Sequence, residues 1–428
     1  MVGESCVRWD LCLWLCLVPS LAWGQTMGPF DSLSGFWENR PLPEQPVRQR
    51  KQPEFTPPGV RLGGWVLHPD ISLSEKFDDN IDATARATRA DLVTSIESGL
   101  RLESDWSRHH LDVELAGAYQ NFLDHSEQSM ISFGQIRATG RLDVSRALTV
   151  SGTIGQRWDH EERGSFEDEG ASTLTAYRRA EALASLRYQP GRLGLESQIR
   201  FDRYDFESGG TAGSAVIDNG DRNRGAAALQ LTADWELSPG SIAFVRGIYD
   251  LRRYDRTVDD FGDRRDSQGE QIETGVTLDL SHLITLHLQA GAFHRSFDGF
   301  RDLPGVVGGI RLVWLPTALT TVALRADHQE VATAIAGASD LLLSRAGLTV
   351  DHELRRNIIL GASLEIQRGD FVGIDRTDIQ LIAGLDVTYN LDRHLYVNGS
   401  YGFRCRDSSA AGYDYERNQV LVRVGYRL

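Results

Sequence analysis

The chain lacks the features that usually brace a small secreted or metal-bound fold. Of its four cysteines, Cys6, Cys12 and Cys16 lie in the N-terminal leader, and only Cys405 lies beyond it. Once the leader is removed, no intramolecular disulfide and no cysteine metal cluster can form. The one long apolar run, Leu11 to Val18 (LCLWLCLV), is too short to span a bilayer as a helix. No segment sustains a helical period of apolar residues. Positive charge is also scarce. The chain has 45 Lys and Arg against 60 Asp and Glu, a net charge of -15. Nucleic acid needs a clustered basic face and is excluded as a partner.

Catalytic and ligand-binding patterns are missing as well. His109 and His110 have no nucleophilic Ser, Asp partner and oxyanion donors that could be set around them, so the chain does not read as an enzyme. Asp260-Phe261-Gly262 stands without any other kinase signature, and Arg368-Gly369-Asp370 reads as the start of a turn. The acidic groups Glu161, Glu162, Glu167, Asp168, Glu169 and Asp259, Asp260, Asp263, Asp266 do not have EF-hand spacing. They read as solvated loops, with bridging to lipopolysaccharide through divalent cations as their one binding role. No cofactor and no metal site is expected.

What is present begins with a leader. Arg8 precedes the apolar run, and Ala22-Trp23-Gly24 gives small residues around a cleavage point before Gln25. Residues 1–24 read as a secretory signal peptide. The next residues, 25–62, carry Pro41, Pro43, Pro46, Pro53, Pro57 and Pro58 together with Arg40, Arg48, Arg50 and Lys51. Such a segment builds no core. It reads as a basic periplasmic tether, with a plug or docking peptide as the alternative, in which Arg48, Arg50 and Lys51 would pair with Glu97, Glu103, Asp112 or Glu114.

From residue 63 to 428 the chain alternates. Ile96, Ser98, Leu100, Leu102, Ser104 and Trp106 oppose Glu97, Gly99, Arg101, Glu103 and Asp105. Ile379, Leu381, Ala383, Leu385, Val387 and Tyr389 oppose Asp378, Gln380, Gly384, Asp386 and Thr388. A period of two over this length is a strand signal. Tight turns, as at Ser107–His109, Gln189–Gly191 and Leu391–Arg393, take turns with longer polar connections, among them Asp78–Ala90, His160–Thr173, Asp298–Gly305 and Asp370–Arg376. The pattern predicts an all-β, transmembrane, antiparallel up-and-down β-barrel of about 18 strands (16–18), with both termini on the periplasmic, short-turn side of a bacterial outer membrane. Trp106, Tyr188, Trp235, Trp314, Tyr389 and Tyr426 fall at one set of strand ends, and Tyr119, Trp158, Phe201 and Tyr401 at the other, as two interfacial girdles would.

The last strand (YERNQVLVRVGYRL) puts Val420, Val422, Val424, Tyr426 and Leu428 on one face and Arg417, Gln419, Arg423 and Arg427 on the other. Tyr426 and Leu428 then form the assembly signal offered to the barrel assembly machinery. That machinery, outer-membrane lipid and lipopolysaccharide are the expected partners.

The stretch Asp70 to Phe122 passes from Phe77-Asp78-Asp79-Asn80 through Gly99-Leu100 to Trp106-Ser107-Arg108-His109. It resembles the putative β-barrel porin 2 family of bacterial outer-membrane proteins. The resemblance implies an outer-membrane barrel with a transport role and brings no catalytic residues. Some similar barrels accompany exopolysaccharide or capsule export, which would add a periplasmic export partner.

The lumen-facing candidates are Glu97, Arg101, Glu103, Asp112, Glu114, Arg137, Arg141, Arg179, Glu181, Arg200, Arg311, Arg345, Asp386 and Arg423. Their signs interleave between neighbouring strands and predict cross-strand ion pairs. Eighteen strands leave an aqueous lumen, and no connection looks long enough to fold deep inside it. The expected function is porin-like passage of hydrophilic solutes. The alternatives are an exopolysaccharide export conduit and a structural or adhesive barrel with a closed lumen.

Overall fold

The computed structural model describes residues 45–50, 52–168, 174–210 and 216–428. The leader, the first part of the Pro-rich segment, Lys51 and Glu169 lie outside the described residues.

Alternating sequence becomes long strands. They are β1 (Trp65–Asp78), β2 (Asp91–Ser104), β3 (His110–Phe122), β4 (Met130–Asp143), β5 (Leu148–His160) and β6 (Ala176–Tyr188). Then come β7 (Leu193–Phe206), β8 (Arg224–Ser238), β9 (Ser241–Tyr254), β10 (Ser267–Ser281), β11 (Ile284–Phe297) and β12 (Leu303–Thr317). The last six are β13 (Thr320–Val331), β14 (Asp340–Arg355), β15 (Ile358–Val372), β16 (Thr377–Asn390), β17 (Leu395–Ser408) and β18 (Tyr415–Arg427). Each pairs antiparallel with its sequence neighbours, and β18 pairs with β1 from Asp70↔Arg427 to Asp78↔Gln419. The sheet is a closed 18-strand barrel. Closure removes the edges that hydrocarbon would leave unpaired.

The period of two sorts the side chains. Leu231, Ile272, Ile154 and Val422 are exposed on the outer face, as are the aromatic residues of both predicted girdles. Between them on the same strands, Asp234, Glu273, Thr153 and Gln419 are buried or turned inward. No described helix is long and apolar enough to cross a membrane.

At the short-turn end, β8, β10, β12 and β14 each carry a register irregularity just before the hairpin, at Glu236/Ser238, Asp279/Ser281, Trp314/Thr317 and Glu353/Arg355. Such bulges bend the strand and sharpen the local twist. The long-loop end is less uniform than the sequence predicts. β15 runs to Val372 and β16 starts at Thr377, so the connection expected over Asp370–Arg376 shrinks to 373–376. The one expected over Asp298–Gly305 shrinks to 298–302 in the same way. Arg368 and Asp370 lie inside β15 and pair with each other at 2.9 Å, so Arg368-Gly369-Asp370 starts no turn. In both cases polar residues at a strand end extend the ladder past the point where composition alone suggests a loop.

Candidate functional site

The interior wall is polar because one residue in two on each strand is turned away from lipid. On β2 and β3, Arg101 donates from Nε to Asp112 Oδ2 at 2.5 Å and lies 3.9 Å from both Glu103 and Glu114. Arg137 on β4 reaches Glu181 on β6 at 3.5 Å, and Arg141 pairs with Asp143 at 3.3 Å. Arg179 and Arg200 share Asp202 at 2.9 and 2.6 Å. Arg345 meets Asp327 at 2.9 Å, and Arg423 meets Glu97 at 2.5 Å. Asp386 accepts from the N-terminal segment, as described below. Arg311 stands apart. Its cross-strand neighbour is Arg325, and among the described residues no carboxylate pairs with it.

The candidates left out a second group of charges. Arg252 and Arg295, each 2 % exposed, are held by Asp250, Glu330 and Asp340 at 2.8 to 3.6 Å. Desolvating so many charges is costly unless each is paired and hydrogen-bonded. The alternation of Val245, Gly247, Tyr249 and Leu251 with Arg246, Asp250 and Arg252 on β9 was the signal available for them.

The most exposed lumen charges are arginines. Among the described strand residues, Arg101, Arg141 and Arg325 have side chains 49, 55 and 48 % exposed and Arg311 is exposed too, whereas Glu97, Glu103 and Glu114 reach 37, 38 and 39 %.

Both mouths are narrowed. At the short-turn end, Val47–Gln49 form a 3-10 turn with Val47 only 1 % exposed. The Val47 N–H donates to Thr321 Oγ1 at 2.9 Å. Arg48 donates to Asp351 at 2.6 Å and to Asp386 at 2.7 Å. Arg50 donates to Glu353 at 3.2 Å and to the Ala318 carbonyl. These residues are docked on β13, β14 and β16. They are not a free tether here, and their partners lie on a different part of the wall from Glu97, Glu103, Asp112 and Glu114.

At the long-loop end, residues 161–168 fold into the barrel, which corrects the expectation that no connection could. Phe166 packs with Val331, Ile335, Ala338, Leu341, Leu343 and Phe371. Gly164 takes a φ of +75°, and an added Cβ would lie 2.4 Å from the Tyr415 ring. Only a residue without a side chain allows that approach. The connection 332–339 is drawn in beside it, and Arg265 donates to the carbonyls of Thr333, Ile335 and Ala338, each at 3.0 Å. Cys405 is buried.

The predicted assembly signal sits at the closing seam. Tyr426 pairs with Ile71 and Leu395, and the Leu428 N–H donates to the Pro69 carbonyl at 3.0 Å.

A closed barrel with an apolar outer face, two aromatic girdles and a charged interior defines a porin-like outer-membrane channel. Residues 52–428 match the putative β-barrel porin 2 family, and the chain belongs to that family. Family and fold are those of non-enzymatic channels. Among solved structures, the chain is similar to OccK2 (OpdF) of Pseudomonas aeruginosa, with 11 % identity over 85 % of this chain and 97 % of that one and a TM-score of 0.45. It is similar to OccAB4 of Acinetobacter baumannii, with 12 % identity over 85 % and 98 % and a TM-score of 0.46. It is also similar to the ferric enterobactin receptor PfeA of Pseudomonas aeruginosa, with 8 % identity over 85 % and 80 % and a TM-score of 0.44. No curated protein sequence matches the chain.

Proposed function

We propose that the barrel is a passive channel for small hydrophilic solutes with a preference for anions, and that both termini are periplasmic. The anion preference rests on one observation. Arg101, Arg141 and Arg325 have side chains 49, 55 and 48 % exposed and Arg311 lies exposed beside Arg325, while the carboxylates they face are 39 % exposed or less. A low-dielectric wall lined by one sign of exposed charge raises the local concentration of the opposite ion. The chain's net charge of -15 counts every residue, whereas a permeating ion meets the exposed side chains of the lumen wall. The topology follows from the short turns and the docked N-terminal residues sharing one end, the arrangement of outer-membrane barrels.

Liposome swelling tests this directly. Vesicles carrying the full barrel should admit glucuronate faster than glucose at equal osmolarity. Equal rates, or faster glucose, would contradict the anion preference. Swelling with neither would contradict the channel.

A further inference from the structure

The inserted segment 161–168 is rich in acceptors, and the wall that holds it supplies donors. Within eight residues it carries Glu161, Glu162, Glu167 and Asp168. Arg222 donates to both Glu161 carboxylate oxygens, from Nη1 at 3.1 Å. Arg404 on β17 donates to Glu162 at 3.3 Å. Three backbone carbonyls of the segment are held as well. Gln380 and the Tyr415 hydroxyl both donate to the Gly164 carbonyl at 2.9 Å, Arg406 donates to that of Ser165 at 2.8 Å, and Arg417 to that of Arg163 at 3.5 Å. Carboxylates and carbonyl oxygens gripped by a fan of arginines are what an acidic solute would present to the same wall. We propose that segment 161–168 is an internal anionic ligand, and that Arg222 and Arg404 bind carboxylate-bearing solutes when it withdraws. The proposal rests on the channel reading above and names the solute class at the long-loop mouth.

A second observation points the same way. Behind the segment lies a cavity of about 60 Å³ lined by Tyr204, Phe206, Arg224 and Glu167. Tyr204 is 5 % exposed, and its hydroxyl has no hydrogen-bond partner. The Arg224 Nε is also buried without an acceptor, and its guanidinium lies over the Tyr204 ring at 4.7 Å. Two unused donors thus stand in the cavity that also holds the segment's Glu167, whose Oε1 is buried without a donor. The basic residues are suited to carboxylates, since all but two of the 45 are arginine, whose planar fork matches a carboxylate in two parallel hydrogen bonds.

The segment has one apolar anchor among the contacts that hold it. Its apolar anchor is Phe166, seated against Gly369, where an added Cβ would lie 2.7 Å from the ring. Burial pushes the Glu161 carboxyl above its usual range, against the pull of Arg222.

The test uses the full barrel in planar bilayers, with a galacturonate trimer and an uncharged galactose trimer as probes. The readout is the probe concentration that halves the open-channel current. Phe166→Ala removes the anchor without touching a charge. If the withdrawn state is about 10 % populated or less in the parent chain, this variant should be half-blocked by the galacturonate trimer at a roughly tenfold lower concentration. A variant carrying Arg222→Gln and Arg404→Gln loosens the segment too, yet should need more galacturonate than the parent. The uncharged trimer should block none of them in the same range. Heat-modifiability gels establish that each barrel is folded. Equal half-block concentrations in parent and Phe166→Ala, or equal block by the uncharged trimer, would overturn the proposal and leave the channel standing. Absence of current in every folded variant would overturn the channel reading, and this proposal with it.

Discussion

Arg48 and Asp386 are 338 positions apart in the chain, and Arg48 Nη2 lies 2.7 Å from Asp386 Oδ1 inside the barrel. Asp386 is 1 % exposed, so the guanidinium compensates a carboxylate that would otherwise be buried on β16. The same guanidinium reaches Asp351 on β14. One N-terminal side chain thus ties the Pro-rich segment to two strands at the short-turn mouth.

Arg48→Ala should therefore release Val47–Gln49 from the mouth. Hydrogen bonds to charged groups contribute on the order of 1.5–3 kcal/mol, enough to shift the docked population by tenfold or more. Single-channel conductance should rise, and deletion of residues 26–58 should raise it at least as much. Unchanged conductance in both would mean that the segment does not narrow the pore.

The outer face should tolerate charge far less than the inner face. Leu231→Arg and Leu100→Arg put a cation on a side exposed to lipid, costing about 2–4 kcal/mol near the midplane. Arg101→Leu removes a lumen charge and places none in hydrocarbon, so folding should suffer less. Heat-modifiability should show this order. Equal loss of folded barrel from both sets would contradict the face assignment.

A protease site inserted at Gly262, an exposed position in the connection 255–266, should be cut in intact cells. One at Pro190, in a tight turn, should be protected. Gly164 makes a poor reporter, because it is packed against Tyr415 inside the mouth. The opposite accessibility of Gly262 and Pro190 would invert the topology.

Acidification should tighten the long-loop mouth. The groups facing Glu161 are Arg222, Glu167 and Asp168. Burial raises the Glu161 carboxyl in the docked segment, Arg222 pulls it down, and Glu167 and Asp168 push it further up. An acid raised on docking takes up a proton as it docks. The stabilisation is fully present below the undocked value, near ~4.3, and fades as pH rises through the docked one. Conductance of the parent barrel should fall as pH drops from about 7 toward that range, and Phe166→Ala should flatten the change. A parent conductance that rises on acidification would contradict the assignment to Glu161.

Much of the architecture was legible because a barrel writes its two faces into alternate residues. The pairs Ile379/Asp378 and Leu385/Asp386 name their sides without knowledge of their neighbours, and the repeated turns give the strand count. The inserted segments were not legible in the same way. Phe166 is a lone aromatic in an acidic stretch, and its partners Val331, Leu341 and Phe371 come from β13, β14 and β15. One faint sign was present. Leu341-Leu342-Leu343 interrupts the period of two with apolar residues on both faces, as happens where the lumen side is covered. The docking of Arg48 had no local sign, since nothing in a basic Pro-rich stretch selects Asp351 and Asp386 over Glu97 or Glu114.

The central claim is a water-filled passage whose exposed charges are arginines, and the reversal potential across a planar bilayer tests it most directly. With the full barrel inserted under a potassium chloride gradient, the current should reverse at the sign set by chloride, and Arg311→Gln with Arg325→Gln should move it toward zero. A barrel that passes no current, or one whose reversal potential has the sign set by potassium, would contradict the account.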